Sequence, residues 1–81
     1  MANLIIATGP ARSGKTYNGD IWVKRAPSNR IMVDGDIKRV LEHLKDGWDV
    51  WLCLNTKIPK SVSPENLPGV SVKVRAFRYT K

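Results

Sequence analysis

Short apolar runs alternate with amphipathic stretches along this chain. Asn3 to Thr8 is an apolar run that stops at Gly9-Pro10, and it predicts a buried strand. Arg30 to Asp34 predicts a second short strand. Asp49 to Asn55 predicts a third, and its continuous apolar character is typical of a strand covered on both faces.

The clearest predicted helix runs from Asp36 to Lys45. Its apolar residues fall at i, i+3, i+4 and i+7 and form one face: Ile37, Val40, Leu41 and Leu44. Asp36 suits the N-cap and Gly47 suits the C-terminal stop. The other face is polar and includes His43, which we expect to be solvated.

A second, weaker helix is predicted from Gly14 to Arg25. An apolar stripe of Tyr17, Ile21 and Trp22 favours it, whereas Asn18 and Gly19 weaken it. We expect Ala26-Pro27 to end it, because a residue before proline avoids helical backbone angles.

The last predicted strand, Val70 to Tyr79, alternates. Its two faces divide into a core set, Val70, Val72, Val74 and Ala76, and a solvent set, Ser71, Lys73, Arg75, Phe77 and Tyr79. This pattern is typical of a strand at a sheet edge or in a hairpin. The whole order is β-α-β-α-β-β, which predicts an α/β fold with a mainly parallel sheet of about four strands.

Composition limits the fold to one domain, residues 1–81. The hydrophobic fraction of 42% is too high for disorder, and no apolar run approaches the roughly 18 residues that span a bilayer. The opening residues lack the features of a signal peptide. The single cysteine, Cys53, lies in an apolar run and is expected to be a buried thiol. We therefore expect a cytoplasmic protein that does not enter a membrane.

The candidate chemistry lies between the first strand and the first helix, where the sequence carries a complete Walker A pattern, Gly-x-x-x-x-Gly-Lys-Thr. Its residues are the predicted phosphate-binding set: Gly9, Pro10, Ala11, Arg12, Ser13, Gly14, Lys15 and Thr16. The glycines permit a tight turn whose N–H groups, with the helix N-terminus, face phosphate oxygens. Lys15 would reach the β- and γ-phosphates, and the Thr16 hydroxyl would bind Mg²⁺. The alternative interpretation is a glycine-rich turn with an exposed lysine and no binding function.

With this loop, the first 55 residues resemble a shortened P-loop NTPase or P-loop kinase. The resemblance implies a minimal three-layer P-loop sandwich. Val33-Asp34-Gly35-Asp36 resembles the acidic segment of adenylylsulfate kinases, which faces the acceptor substrate. LEHLKDGWDVWLCLN resembles the helix-strand unit of viral and phage packaging-type ATPases, in which a polar residue, here Asn55, ends the sensor strand. The small size is typical of a bacteriophage or mobile-element protein, which would act in the host cytoplasm.

The carboxylates admit two interpretations. If the second strand adjoins the first, Asp34 lies near the loop and can hold Mg²⁺ through water, and Asp36 is the candidate general base. If that strand lies further out, Asp34 is a turn residue and Asp36 only a helix cap. The segment ending at Asp34 is a defective Walker B pattern, because Arg30 stands where an apolar residue belongs.

Net charge and the last strand suggest an alternative function. The chain carries a net charge of +7, which favours anionic partners. Lys73, Arg75, Phe77 and Tyr79 share one face and would bind nucleic acid by phosphate contact and stacking. A second alternative is a small basic inhibitor that binds an acidic host protein on a P-loop scaffold.

The sequence thus predicts binding of ATP or another nucleoside triphosphate, with Mg²⁺, at the glycine-rich loop. Lys15 and Asp36 are the candidate catalytic residues, and Thr16 and Asp34 are the candidate metal ligands. ATPase or phosphotransfer activity is expected to be weak or partner-dependent, because no arginine finger is evident in the sequence. A homo-oligomer or another protein would supply the missing group.

Overall fold

The computed structural model describes residues 2–10 and 13–78. Within these ranges the chain forms four strands and two helices, in the order β1 (Asn3–Thr8), α1 (Lys15–Lys24), β2 (Arg30–Asp34), α2 (Ile37–Lys45), β3 (Asp49–Leu54) and β4 (Ser71–Ala76). Two short 3-10 turns, Lys60–Val62 and Pro64–Asn66, lie between β3 and β4. Neither described helix has the length and apolar character needed to cross a membrane.

The four strands form one sheet in the order β2-β3-β1-β4, and each neighbouring pair is parallel. The predicted α/β class and strand number are therefore confirmed, and the sheet is wholly parallel in the described part of the chain. β4 lies at an edge, as predicted, but it pairs in parallel with β1 and is not part of a hairpin. α1 packs on β2 and β3, and α2 packs on β3, so the arrangement is compatible with a three-layer sandwich.

The larger core lies on the α2 side of the sheet. Alternate residues of the two central strands, Leu4, Ile6, Val50 and Leu52, pack there against α2 and the first 3-10 turn. Val40 and Leu44 of α2 are buried in this cluster, with Ile37 and Leu41 half-buried beside them, so the predicted apolar face of this helix is confirmed.

The smaller core lies on the α1 side and is built around Trp51. Trp51 is fully buried, and Trp22 and Phe77 pack against it with ring centroids 5.8 and 6.0 Å away. The predicted stripe of α1 is wrong at Tyr17, which is 71% exposed. The helix instead approaches the sheet through Gly19, where a Cβ atom would lie 2.6 Å from the indole nitrogen of Trp51.

The alternation predicted for β4 is correct only over its first half. Val70 and Val72 pack against the α2-side core, as expected. Val74 is 54% exposed and Ala76 is also exposed, so the prediction that both face the core is wrong. The reason is that β4 is an edge strand and α2 packs over β3, away from this end of β4. The predicted strand end at Tyr79 lies outside the described residues.

Candidate functional site

All four strands end at the same edge of the sheet. The register aligns Thr8 of β1 with Leu54 of β3 and with Ala76 of β4, and it aligns Asp34 of β2 with Cys53 of β3. In open parallel sheets, ligands bind beyond the carboxyl ends of the strands. The glycine-rich loop leaves β1 at this edge and leads into α1.

The described part of the loop is held by two glycines in backbone conformations that other residues rarely adopt. Gly9 has φ 138°, and a Cβ atom there would collide with the backbone carbonyl of Phe77. Gly14 has φ 98° and is the N-cap of α1. Both predicted glycine roles therefore have a physical basis, namely close backbone approach at Gly9 and left-handed geometry at Gly14. Pro10 is exposed, and the predicted ligands Ala11 and Arg12 lie outside the described residues.

No acidic side chain in the first turn of α1 offsets the partial positive charge of the helix N-terminus. Gly14 provides no side-chain cap, and the first turn contains no acidic residue. The first N–H groups of a helix lack partners within the helix and carry a partial positive charge. In contrast, the N-terminus of α2 is capped by Asp36. Ser13 adds a buried hydroxyl oxygen that has no hydrogen-bond partner among the described residues.

Lys15 is the first residue of α1 and is only 5% exposed. Its Nζ atom donates to the carbonyl of Gly9, to the side-chain oxygen of Asn55 and, at 3.1 Å, to the carbonyl of Leu54. These acceptors match the three donors of an ammonium group. All are neutral, and no described carboxylate lies within 4.0 Å of Nζ. The alternative of an exposed lysine on a glycine-rich turn is therefore wrong.

A cleft of about 450 Å³ opens beside Lys15. Its walls are formed by the start of α1 and the ends of β2 and β3, with the lining residues Gly14, Lys15, Thr16, Tyr17, Asp34, Cys53 and Asn55. Tyr17, which the sequence had assigned to the core stripe, is instead an exposed aromatic side chain at this cleft. Asn55, singled out by the resemblance to packaging-type ATPases, lies in the cleft and accepts a hydrogen bond from Lys15.

The position of β2 bears on the two interpretations of the carboxylates. β3 lies between β2 and β1, so β2 does not adjoin the loop strand. Asp34 is the last residue of β2, before the turn at Gly35, and it nevertheless lines the cleft with Lys15 and Thr16. Asp36 does not line this cleft; its side chain accepts the N–H of Arg39 at 3.3 Å and caps α2.

Cys53 lies in the wall of the cleft, paired with Asp34 in the sheet, and is 3% exposed. Burial raises the pKa of its thiol, and the carboxylate of Asp34 acts in the same direction. The neighbouring side chains of Trp51 and Thr16 and the charge of Lys15 oppose this increase in pKa. The thiol therefore responds to the same charged groups that line the cleft, and the predicted buried Cys53 is confirmed.

Magnesium is the metal that the resemblance implies, and the cleft offers hard oxygen donors for it. The Thr16 hydroxyl and the Asp34 carboxylate both line the cleft and are of the ligand type that Mg²⁺ prefers. Among the described residues, no group of three or more His, Cys, Asp and Glu side chains forms a metal-binding cluster. The residues present therefore fit an ion that takes its remaining ligands from water and phosphate oxygens.

The candidate nucleic-acid residues of β4 are in part described. Lys73 and Arg75 are exposed, and Phe77 is half-buried beside Trp51. Tyr79 lies outside the described residues. The described members of this set, Lys73, Arg75 and Phe77, do not line the cleft of Lys15, although the backbone carbonyl of Phe77 lies beside Gly9 of the loop.

Two residues with structural roles in the site were not recognised as such from sequence. Asn18 donates from its side chain to the carbonyl of Gly14 at 2.7 Å and so fixes the N-cap. Gly19 lets α1 lie close to β3. In the sequence, Asn18-Gly19 indicated only a weak helix, because intrinsic helix propensity measures what these residues cost an isolated helix. It does not include the tertiary contacts that require them.

Comparison of the chain with protein-family models, curated proteins and solved structures found no match.

Proposed function

We propose that this protein binds the phosphate groups of a nucleoside triphosphate at the loop between β1 and α1. The observation that carries the proposal is the buried ammonium group of Lys15, which lies at an uncapped helix N-terminus with only neutral hydrogen-bond acceptors. A buried charge is costly unless an opposite charge compensates it. A phosphate would supply that charge to Lys15 and, at the same time, hydrogen-bond acceptors to the first turn of α1.

Each loop residue would have a defined part in such a complex. The backbone of Gly9, Gly14 and the residues between them would surround the phosphates, and Lys15 would neutralise them. Because the three donors of Lys15 are already used, a phosphate oxygen must replace one of its present partners. The Asn55 side chain is the acceptor that can move most easily, since the other two are backbone carbonyls.

Thr16 and Asp34 would hold Mg²⁺ with the triphosphate, Thr16 through its hydroxyl group and Asp34 directly or through water. The ion would supply charge neutralisation of the phosphate oxygens when bound. The cleft of about 450 Å³ falls within the range of small-molecule sites, roughly 300–1,000 Å³, and is larger than a single phosphate needs. ATP is our representative ligand, because no pattern in the sequence selects a particular base.

Turnover is expected to be weak or to depend on a partner. Phosphoryl transfer needs a group that positions the nucleophile and a cation that stabilises the transition state. Asp36 is occupied as a helix cap, and no arginine lines the described cleft. A second copy of the chain or another protein would have to supply these groups.

The test is calorimetric titration of the full chain with ATP, ADP and GTP, each with Mg²⁺ and again with EDTA. Lys15→Met removes the ammonium and keeps much of the buried side-chain volume, whereas Lys24→Met removes the same charge from the exposed end of the same helix. We expect saturable binding that falls at least about tenfold in Lys15→Met, as expected for loss of a charged hydrogen bond. Binding by Lys24→Met should match the unmodified protein.

Asp34→Asn tests the proposed metal ligand separately. We expect this variant to lose the additional affinity that Mg²⁺ provides and to retain the affinity measured in EDTA. Absence of binding by the unmodified protein at millimolar ATP, or equal binding by Lys15→Met and Lys24→Met with both variants folded by circular dichroism, would contradict nucleotide binding at this loop.

A further inference from the structure

A second cationic surface lies on β4, on the side of the sheet that faces α1. Lys73 and Arg75 are alternate residues of this strand, so their side chains leave the same side of the sheet, and both are exposed. Phe77 follows on the same side and packs beside Trp51. We refer to Lys73, Arg75 and Phe77 as the β4 face.

Aromatic rings, and not carboxylates, hold the guanidinium group of Arg75. Its central carbon lies 5.5 Å from the ring centroid of Trp51 and 5.2 Å from that of Phe77. Both distances are within the range of about 6 Å for cation–π contacts. Neither Arg75 nor Lys73 has a carboxylate within 4.0 Å among the described residues. The two positive charges therefore have no acidic partner in the described part of the molecule.

The position of β4 leaves this surface accessible. β4 is an edge strand, and α1 packs over β2 and β3 on the other side of β1. Lys73 also lines a hollow of about 160 Å³ at the opposite edge of the sheet from the cleft, where the guanidinium of Arg30 lies 4.4 Å from the ring centroid of Trp22. Arg30 and Trp22 therefore extend the cationic and aromatic surface from β4 across the neighbouring strands.

One acidic residue, Asp49, lines the same hollow. One carboxylate oxygen of Asp49 accepts the backbone N–H and the side-chain N–H of Asn3, at 2.9 and 3.3 Å. It is therefore engaged locally by β1. Residues 71–78 contain no Asp or Glu, so the strand itself offers only positive and neutral side chains.

We propose that the β4 face binds single-stranded nucleic acid. Alternate residues of a strand are separated by about 6.6 Å, so Lys73 and Arg75 can contact successive phosphates of an extended strand. Unstacked bases pack on aromatic rings and on guanidinium planes, and Arg75 presents such a plane fixed by two rings. The net charge of +7 favours a polyanion over a neutral partner. This proposal does not depend on nucleotide binding at Lys15.

The test measures fluorescence anisotropy of labelled oligothymidylate titrated with the full chain at several salt concentrations. The double variant Lys73→Gln/Arg75→Gln removes both charges of the β4 face. The matched control, Lys38→Gln/Arg39→Gln, removes one lysine and one arginine from exposed positions on α2. Its net charge is therefore the same as that of the β4 double variant. We expect about tenfold or greater weakening in the β4 variant, with a salt slope reduced by about 0.7 for each lost phosphate contact. The control should bind within about twofold of the unmodified protein.

Two additional variants keep the test valid if the double variant folds poorly. Lys73→Gln alone changes an exposed side chain and is expected to weaken binding and reduce the salt slope. Arg75→Lys keeps the charge but removes the planar guanidinium, so it should lose affinity for oligothymidylate while keeping the salt slope. Three results would each overturn the proposal: equal weakening by the two double variants, displacement by polyglutamate as effective as displacement by oligothymidylate, and no binding at low salt.

Discussion

The Nζ atom of Lys15, in the first residue of α1, donates a hydrogen bond of 3.1 Å to the carbonyl of Leu54, the last residue of β3. The two residues are 39 positions apart in sequence, yet this contact joins the start of the first helix to the end of the central strand beside β1. The fold itself therefore holds the ammonium group in place. Such preorganisation lowers the entropy cost of binding an anion.

Asn55→Ala removes the side-chain acceptor of Lys15 that the described residues provide. We expect the unliganded protein to lose about 1 kcal/mol of stability, because a buried donor loses its partner. Since a phosphate oxygen can replace that acceptor, we also expect MgATP to raise the melting temperature of Asn55→Ala by more than it raises that of the unmodified protein. Differential scanning fluorimetry with and without MgATP measures both effects.

The control for this prediction is Asn29→Ala, which alters an exposed asparagine in the turn before β2. It should leave both melting temperatures close to those of the unmodified chain. An equal or smaller MgATP shift in Asn55→Ala would mean that Asn55 does not compete with phosphate for Lys15.

Asp36→Ala removes the N-cap of α2. We expect a loss of about 1 kcal/mol in the free energy of unfolding, because the N–H of Arg39 loses its acceptor. Urea denaturation followed by circular dichroism measures this change. Nucleotide affinity and any slow ATP turnover should remain as in the unmodified protein. Asp36→Asn, which also caps helices well, should restore the stability; a loss of turnover in Asp36→Asn at full stability would instead indicate a general base.

Gly19→Ala should destabilise the protein although alanine is the better helix former. At an exposed helical position this change would stabilise by up to about 1 kcal/mol. Here the new Cβ atom would lie 2.6 to 2.8 Å from atoms of Trp51 and Met32, and overpacking of this kind typically costs about 1–3 kcal/mol. Chemical denaturation shows directly whether Gly19→Ala lowers or raises the free energy of unfolding. In a Trp51→Leu background the penalty of Gly19→Ala should shrink, and an unchanged penalty there would rule out the indole as its cause.

Cys53 should react slowly with thiol reagents and in a pH-dependent way. Burial is the main factor that raises the pKa of its thiol from the usual value of 9.0, so the thiolate is scarce at neutral pH and becomes the major form only above pH 9. Because the folded pKa is the higher one, the associated stability is present below pH 9 and is lost as pH rises through the folded pKa. Iodoacetamide labelling, followed by mass spectrometry, should therefore accelerate above pH 9. Relative to the rate at pH 7, this acceleration should be larger in the folded protein than in a denatured control.

The same labelling reports on the cleft, because Cys53 is the only cysteine and lines it. At a fixed pH, MgATP should slow the reaction in the unmodified protein and have little effect in Lys15→Met. Protection that is equal in both proteins would place the nucleotide elsewhere.

Local sequence patterns were sufficient for most of the secondary structure. β1 and β2 have the predicted bounds, and α2 begins one residue after its predicted cap. These elements were predictable because an apolar run, a period of 3.6 residues and a capping carboxylate act over a few neighbouring positions. α1 was harder to predict, since it contacts the sheet through Gly19 and Trp22, whereas Tyr17 of the predicted stripe is exposed.

The candidate site was predictable in its loop and not in its opposite wall. Gly9, Gly14 and Lys15 occur within one short pattern, so their cooperation follows from sequence spacing. Asp34 and Cys53 join them because β2, β3 and β1 are neighbouring parallel strands whose carboxyl ends lie at one edge of the sheet. The pairing of strands is a long-range choice that no local window contains.

The amino-acid sequence alone specifies a single basic α/β domain with a glycine-rich loop before its first helix, because these properties depend on composition and on short-range periodicity. Strand order, the burial of Lys15 and the exposed half of β4 depend on which surfaces meet when the chain folds. Those contacts are made between residues far apart in sequence, and it is packing between the layers that selects among them.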